Sequence, residues 1–144
     1  MMTGYEVIEL ICDSLSDARS VIEDGGTWDP LVHVCHAGGV QSMVIPRSRS
    51  GPAHRTEVVD QINRLRKEFN GYLVMMFDDN WIPEENLGNS VTRSQDGSFP
   101  GRYEALVVTI WGSDGLPTYG TQRYRRSVGG QVLFDKFIWG VPLV

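Results

Sequence analysis

Residues Tyr72 to Phe77 read Tyr-Leu-Val-Met-Met-Phe, an almost continuous apolar run between Asn70-Gly71 and Asp78-Asp79-Asn80. A strand with water on one side alternates apolar and polar side chains, so a run without alternation predicts a central strand covered on both faces. The rest of the chain must supply strands to flank it and layers to cover it. At 144 residues, the chain fits one globular domain, residues 1–144, able to bury roughly two thirds of its unfolded surface.

Helical spacing appears twice. From Tyr5 to about Glu23, Val7, Ile8, Ile11, Leu15, Ala18, Val21 and Ile22 fall on one stripe that Gly25-Gly26 ends, with a break near Asp13 open as an alternative. From about Thr56 to Phe69, Val58, Val59, Ile62, Leu65 and Phe69 form a second stripe, stopped by Asn70-Gly71. Leu31 to Ala37 and Val40 to Pro46 read as a hairpin joined at Gly38-Gly39, with an exposed loop over Arg47 to Ala53. After Phe77, Asp78-Asp79-Asn80-Trp81-Ile82-Pro83 closes the strand, and Glu84 to Gly101 reads as a long flexible loop. Tyr103 to Trp111, Thr118 to Arg126 and Gln131 to Trp139 are three further strands, with turns at Ser113-Asp114-Gly115 and Gly129-Gly130. The expected fold is α+β: one mixed or mainly antiparallel sheet of about six strands with two helices packed on one face.

Apolar residues make up 41% of the chain and charged residues 22%, and the net charge is -5. That composition excludes a disordered chain, and no apolar run approaches the ~20 residues that span a bilayer, so no membrane partner is expected. The acidic total argues against general DNA binding. Charge alternates by segment: residues 1–30 carry seven carboxylates and one arginine, whereas residues 101–144 carry five basic and three acidic side chains. Met1-Met2-Thr3-Gly4 lacks the basic and apolar regions of a secretory signal, which points to a cytoplasmic protein whose Cys12 and Cys35 are free thiols.

Three segments carry a resemblance: Tyr72 to Trp81, Arg102-Tyr103-Glu104-Ala105-Leu106 with Asp114-Gly115, and Tyr124-Arg125-Arg126. Together they resemble a family of small, uncharacterised bacterial and phage-borne proteins. In these a strand ends in an acidic residue and Trp, an Arg-x-Glu-Ala-Leu strand follows, and a Tyr-Arg-Arg comes late. The likeness covers most of the chain from Leu31 onward and implies a shared α+β fold, with no established activity and no catalytic residue to transfer. This sequence departs from the pattern in placing Asp78-Asp79-Asn80 before Trp81.

Candidate chemistry is sparse. His33-Val34-Cys35-His36 has the residue types of a metal box, but strand alternation sends His36 to the face opposite His33 and Cys35, so no metal site is expected there. The Gly-Gly pairs are turns, since none sits in a phosphate-loop spacing before a helix, and no cofactor is expected. Asp78, Asp79, Glu84, Glu85 and Glu104 are the one carboxylate constellation, able in principle to hold Mg²⁺ for phosphodiester cleavage. Arg123, Arg125, Arg126 and Lys136 concentrate on the last hairpin. A two-residue turn at Gly129-Gly130 would set Arg123 opposite Lys136, Tyr124 opposite Asp135 and Arg125 opposite Phe134, a like-charge pair that calls for an anion or a carboxylate between.

The sequence therefore points first to a non-enzymatic binding module that recognises a phosphate-bearing ligand or an acidic protein through Arg123, Arg125, Arg126 and Lys136. A metal-dependent phosphodiesterase or nuclease using Asp78, Asp79 and Glu104 is the alternative. If both helices cover one sheet face, the other exposes an apolar patch, and a homodimer through that face is the expected cover.

Overall fold

The computed structural model describes residues 1–46, 51–83, 102–113 and 117–140. The elements are α1 (Gly4–Glu23), β1 (Leu31–His36), β2 (Gly39–Val44), α2 (Gly51–Phe69), β3 (Leu73–Pro83), β4 (Arg102–Trp111), β5 (Pro117–Arg126), β6 (Val132–Phe134) and β7 (Ile138–Trp139). One sheet runs in the order β2-β1-β3-β4-β5-β6, with β7 also on β5, and every pairing is antiparallel. The fold is α+β. The expected loop over 84–101 lies outside the described residues.

Local chemistry explains the helix limits. The Thr3 hydroxyl accepts a hydrogen bond from the Glu6 N–H at 3.2 Å, capping α1. At the other end, Gly25 takes φ 81°, and the N–H groups of Gly25 and Gly26 donate to the carbonyls of Ile22 and Val21. Asn70 (φ 50°) and Gly71 repeat this closure on the Lys67 and Arg66 carbonyls, so both helices end in the same left-handed turn. α1 is continuous through Asp13, and α2 starts at Gly51, well before Thr56.

The two helices lie on opposite faces of the sheet, which corrects the expectation that they share one. Ile11, Leu15, Ala18 and Ile22 of α1 pack with Cys35, Met75, Phe77, Leu106, Val108 and Tyr124. Val58, Ile62 and Leu65 of α2 pack with Val32, Val34, Ile45 and Val74. The β3 residues alternate between these clusters, so the apolar run is one strand serving two cores. Topology supplies the reason: β2 and β3 both flank β1 and run parallel to one another, and α2 is the crossover that joins them over β1. The N-terminal α1 then takes the remaining face. Ile8 and Val59, each assigned to a buried stripe, are exposed.

β3 does not close at Asp78 but continues to Pro83, paired with β4 throughout from Val74. Polar side chains tolerate this position because they are bonded. The Asp78 carboxylate accepts hydrogen bonds from the Asp79 N–H at 2.8 Å and from Asn80 Nδ2 at 3.1 Å.

Candidate functional site

The C-terminal hairpin turns on three residues. The Ser127 N–H donates to the Gln131 carbonyl at 2.8 Å, the Gly130 N–H donates to the Ser127 carbonyl at 2.9 Å, and Gly130 takes φ 83°. This is a turn closed by a left-handed glycine, and it sets Tyr124 against Phe134, Arg125 against Leu133 and Arg126 against Val132. A two-residue turn at Gly129-Gly130 would shift the pairing by one and send Leu133 and Phe134 to the wrong faces. Arg123 consequently faces Asp135, whose N–H donates to the Arg123 carbonyl at 2.8 Å, and not Lys136. The like-charge confrontation expected from the sequence does not exist.

Beyond Asp135 the register changes again. Thr121 pairs with Ile138 and Gly120 with Trp139, so residues 135–137 contain one extra residue, a β-bulge. Two features hold it. Gln122 is buried and donates from Nε2 to the Asp135 carbonyl at 2.9 Å, while its Oε1 accepts from Arg19 of α1 at 3.1 Å. Gly120 has no side chain, which leaves room for Phe137 and Trp139: a Cβ there would sit 2.3 Å from Phe137 Cζ and 2.8 Å from Trp139 Cε3.

The combined register sorts the four basic residues. Arg123 and Arg125 lie on the α2 face of β5, both exposed, and the Arg123 guanidinium stacks 4.7 Å above the Tyr103 ring. On the same face stand Leu133, 39% exposed, and Ile138, 53% exposed, as the cross-strand partners of Arg125 and Thr121. Arg126 lies on the other face, 3.8 Å from Glu104. Lys136 is exposed in the bulge. The structure thus brings Arg123 and Arg125 together, separates Arg126, keeps Ile138 on the face that a two-residue turn would also give it, and adds Leu133, which that turn would send to the other face.

The carboxylates do not converge. Asp78 is buried on the α2 face, whereas Asp79 and Glu104 lie on the α1 face. Asp79 Oδ1 accepts a hydrogen bond from the Tyr124 hydroxyl at 2.7 Å, and burial, followed by this contact with Asp79, raises the Tyr124 phenol well above its ordinary pKa. Glu84 and Glu85 lie outside the described residues. Among the described residues no three His, Cys, Asp or Glu side chains are grouped to hold a metal ion.

His33 is instead the centre of a hydrogen-bonded chain between α1 and the sheet. Its Nε2 lies 2.9 Å from Ser14 Oγ and its Nδ1 lies 2.7 Å from Ser42 Oγ, with Phe77 edge-on to the ring. Burial lowers its pKa below the ordinary 6.5, so the ring is neutral, one nitrogen donating to a serine and the other accepting. Ser14 and His33 are both buried, so the pair docks α1 rather than presenting a nucleophile. Cys35, on the same face as expected, is buried as well, and burial raises its thiol pKa. His36 points the other way and stacks on Phe69 of α2.

Among the described residues no helix is long and apolar enough to cross a membrane. No family model, curated protein or solved structure matches the chain.

Proposed function

We propose that the protein is a binding module that docks an acidic protein partner on the α2 face of its C-terminal hairpin. The observation that carries this reading is the placement of two exposed guanidinium groups, Arg123 and Arg125, beside exposed Leu133 and Ile138. Arginine and aromatic or aliphatic side chains in one patch are the composition of an interface centre: the apolar groups supply area and the guanidinium groups fix a carboxylate bidentately. The rigidity of the patch supports the same reading, since Gln122 ties the bulge to Arg19 and Tyr103 holds the Arg123 guanidinium from below. An open strand surface of this kind suits a protein better than a free phosphate, which is held best in an enclosed pocket.

Affinity capture from a cell lysate tests the proposal, with captured proteins identified by mass spectrometry. Arg123→Glu/Arg125→Glu is expected to abolish capture of an acidic protein, and Arg126→Glu on the opposite face is expected to leave it intact. Equal loss in both variants, or saturable binding of inorganic phosphate alone at Arg123 and Arg125, would count against a protein partner.

A further inference from the structure

Among the described residues β2 is the terminal strand of the sheet, at the end remote from the hairpin. Antiparallel pairing alternates residues that exchange backbone hydrogen bonds with their partner and residues whose N–H and C=O point away from it. The Ile45 N–H donates to the Pro30 carbonyl at 2.8 Å, one step beyond the Leu31–Val44 pair. Alternation from that bond directs the backbone groups of Met43, Gln41 and Gly39 towards β1 and those of Val44, Ser42 and Val40 outward. The side chains of these last three are also exposed, Val40 at 37% and Val44 at 54%.

Edge strands that stay unpaired are blunted by lysine, proline, a bulge or brevity. β2 has none of the first three: it pairs with β1 in unbroken register along its whole length, and residues 37–46 contain no charged side chain. Its sequence Val40-Gln41-Ser42-Met43-Val44 is also symmetric in character about Ser42. A second copy laid antiparallel on it meets valine with valine and brings no like charges together.

We propose that β2 is a homodimer interface, in which two copies pair antiparallel about a twofold axis at Ser42. Ser42 then faces its own copy, Val40 faces the partner's Val44, and each of these residues exchanges both backbone hydrogen bonds across the axis. The two sheets become one continuous sheet, and the exposed Val40 and Val44 side chains are covered in pairs on the α1 face. This interface is independent of the hairpin reading, and it differs from a dimer through a sheet face, because it joins the two copies edge to edge along β2. Each dimer presents its two hairpins at the far ends of the joined sheet.

Sedimentation equilibrium on the full chain, from about 5 to about 200 µM, reads the association of a small interface of this kind. The mean mass is expected to rise from 16.1 kDa towards twice that value. Val40→Lys/Val44→Lys sets ammonium against ammonium and is expected to weaken association at least about a hundredfold. Val40→Lys/Val44→Glu sets each ammonium against a carboxylate in the proposed register and is expected to restore it. Circular dichroism is expected to be the same for all three proteins, as both substituted side chains are exposed. A wild-type monomer throughout the range, a dimer indifferent to the double lysine variant, or no recovery with the mixed pair would each overturn the proposal. Amide exchange gives a second reading: the Val40, Ser42 and Val44 amides are protected in the wild type at high concentration and unprotected in the double lysine variant. Equal protection in the two would also overturn it.

Discussion

Leu15 of α1 and Ile62 of α2 are each 6% exposed, yet they belong to cores on opposite sides of β3. Leu15→Ala removes most of a side chain from the cluster around Met75 and Phe77, at an expected cost of about 2–5 kcal/mol. Ile62→Val removes one methylene from the cluster around Val34 and Val74, at an expected cost of about 0.5–1.5 kcal/mol. The milder change at the second site keeps most of the combined range below the roughly 5–15 kcal/mol available to a domain. Because the sheet separates the two side chains and they share no partner, the costs should add to within about 0.5 kcal/mol. Guanidinium titrations of the wild type, both single variants and the double variant, followed by tryptophan fluorescence, give the coupling directly. A coupling above about 1 kcal/mol would mean that the helices pack against one another, and the two-core account would fail.

Gly120→Ala forces a methyl into the Phe137 and Trp139 rings, and a loss of about 1–3 kcal/mol in a denaturant titration is expected; no loss would show that the bulge is not seated there. For His33, the folded state holds the ring neutral while the unfolded chain protonates near pH 6.5, so the unfolded state binds more protons and stability falls as pH drops through that value. His33→Gln should flatten this slope in denaturation midpoints between pH 7.5 and about 5, and an unchanged slope would assign the effect elsewhere. Tyr124→Phe removes the donor to Asp79 and is expected to cost about 1.5–3 kcal/mol, against none if that contact is dispensable.

Element identity was legible in the sequence because it depends on local chemistry. The Gly25-Gly26 and Asn70-Gly71 stops coincide with left-handed residues, and the apolar spacing of Ile11, Leu15, Ala18 and Ile22 marks the buried stripe of α1. The run from Tyr72 to Phe77 announced a strand covered on both faces, but not what covers each. That depends on strand order, since α2 crosses β1 only because β2 and β3 flank it. The extension of β3 through Asp78 and Asp79 was hidden for a related reason. Two carboxylates read as a stop until Asn80 and the distant Tyr124 bond them. In the first hairpin the turn is Ala37-Gly38, one residue earlier than Gly38-Gly39, and the faces of both strands survive that change of register. In the last hairpin, the three-residue turn reverses the faces of Leu133 and Phe134, and the bulge at 135–137 restores the original parity for Ile138 and Trp139. The candidate surface was therefore largely legible: its arginines and the face of Ile138 are plain in the sequence, and the face of Leu133 depends on the turn.

The functional reading rests on Arg123, Arg125, Leu133 and Ile138 sharing one face, and cross-strand proton contacts measure that register directly. In antiparallel strands, the pairs that do not exchange backbone hydrogen bonds bring their Hα atoms closest. With Ser127–Gln131 and Arg123–Asp135 hydrogen-bonded, these pairs are Tyr124–Phe134 and Arg126–Val132. A nuclear Overhauser spectrum of the full-length protein should show strong Hα–Hα contacts for both. Contacts of Ser127 with Val132 and of Arg125 with Phe134 instead would return the hairpin to a two-residue turn, move Leu133 to the other face and dismantle the docking surface.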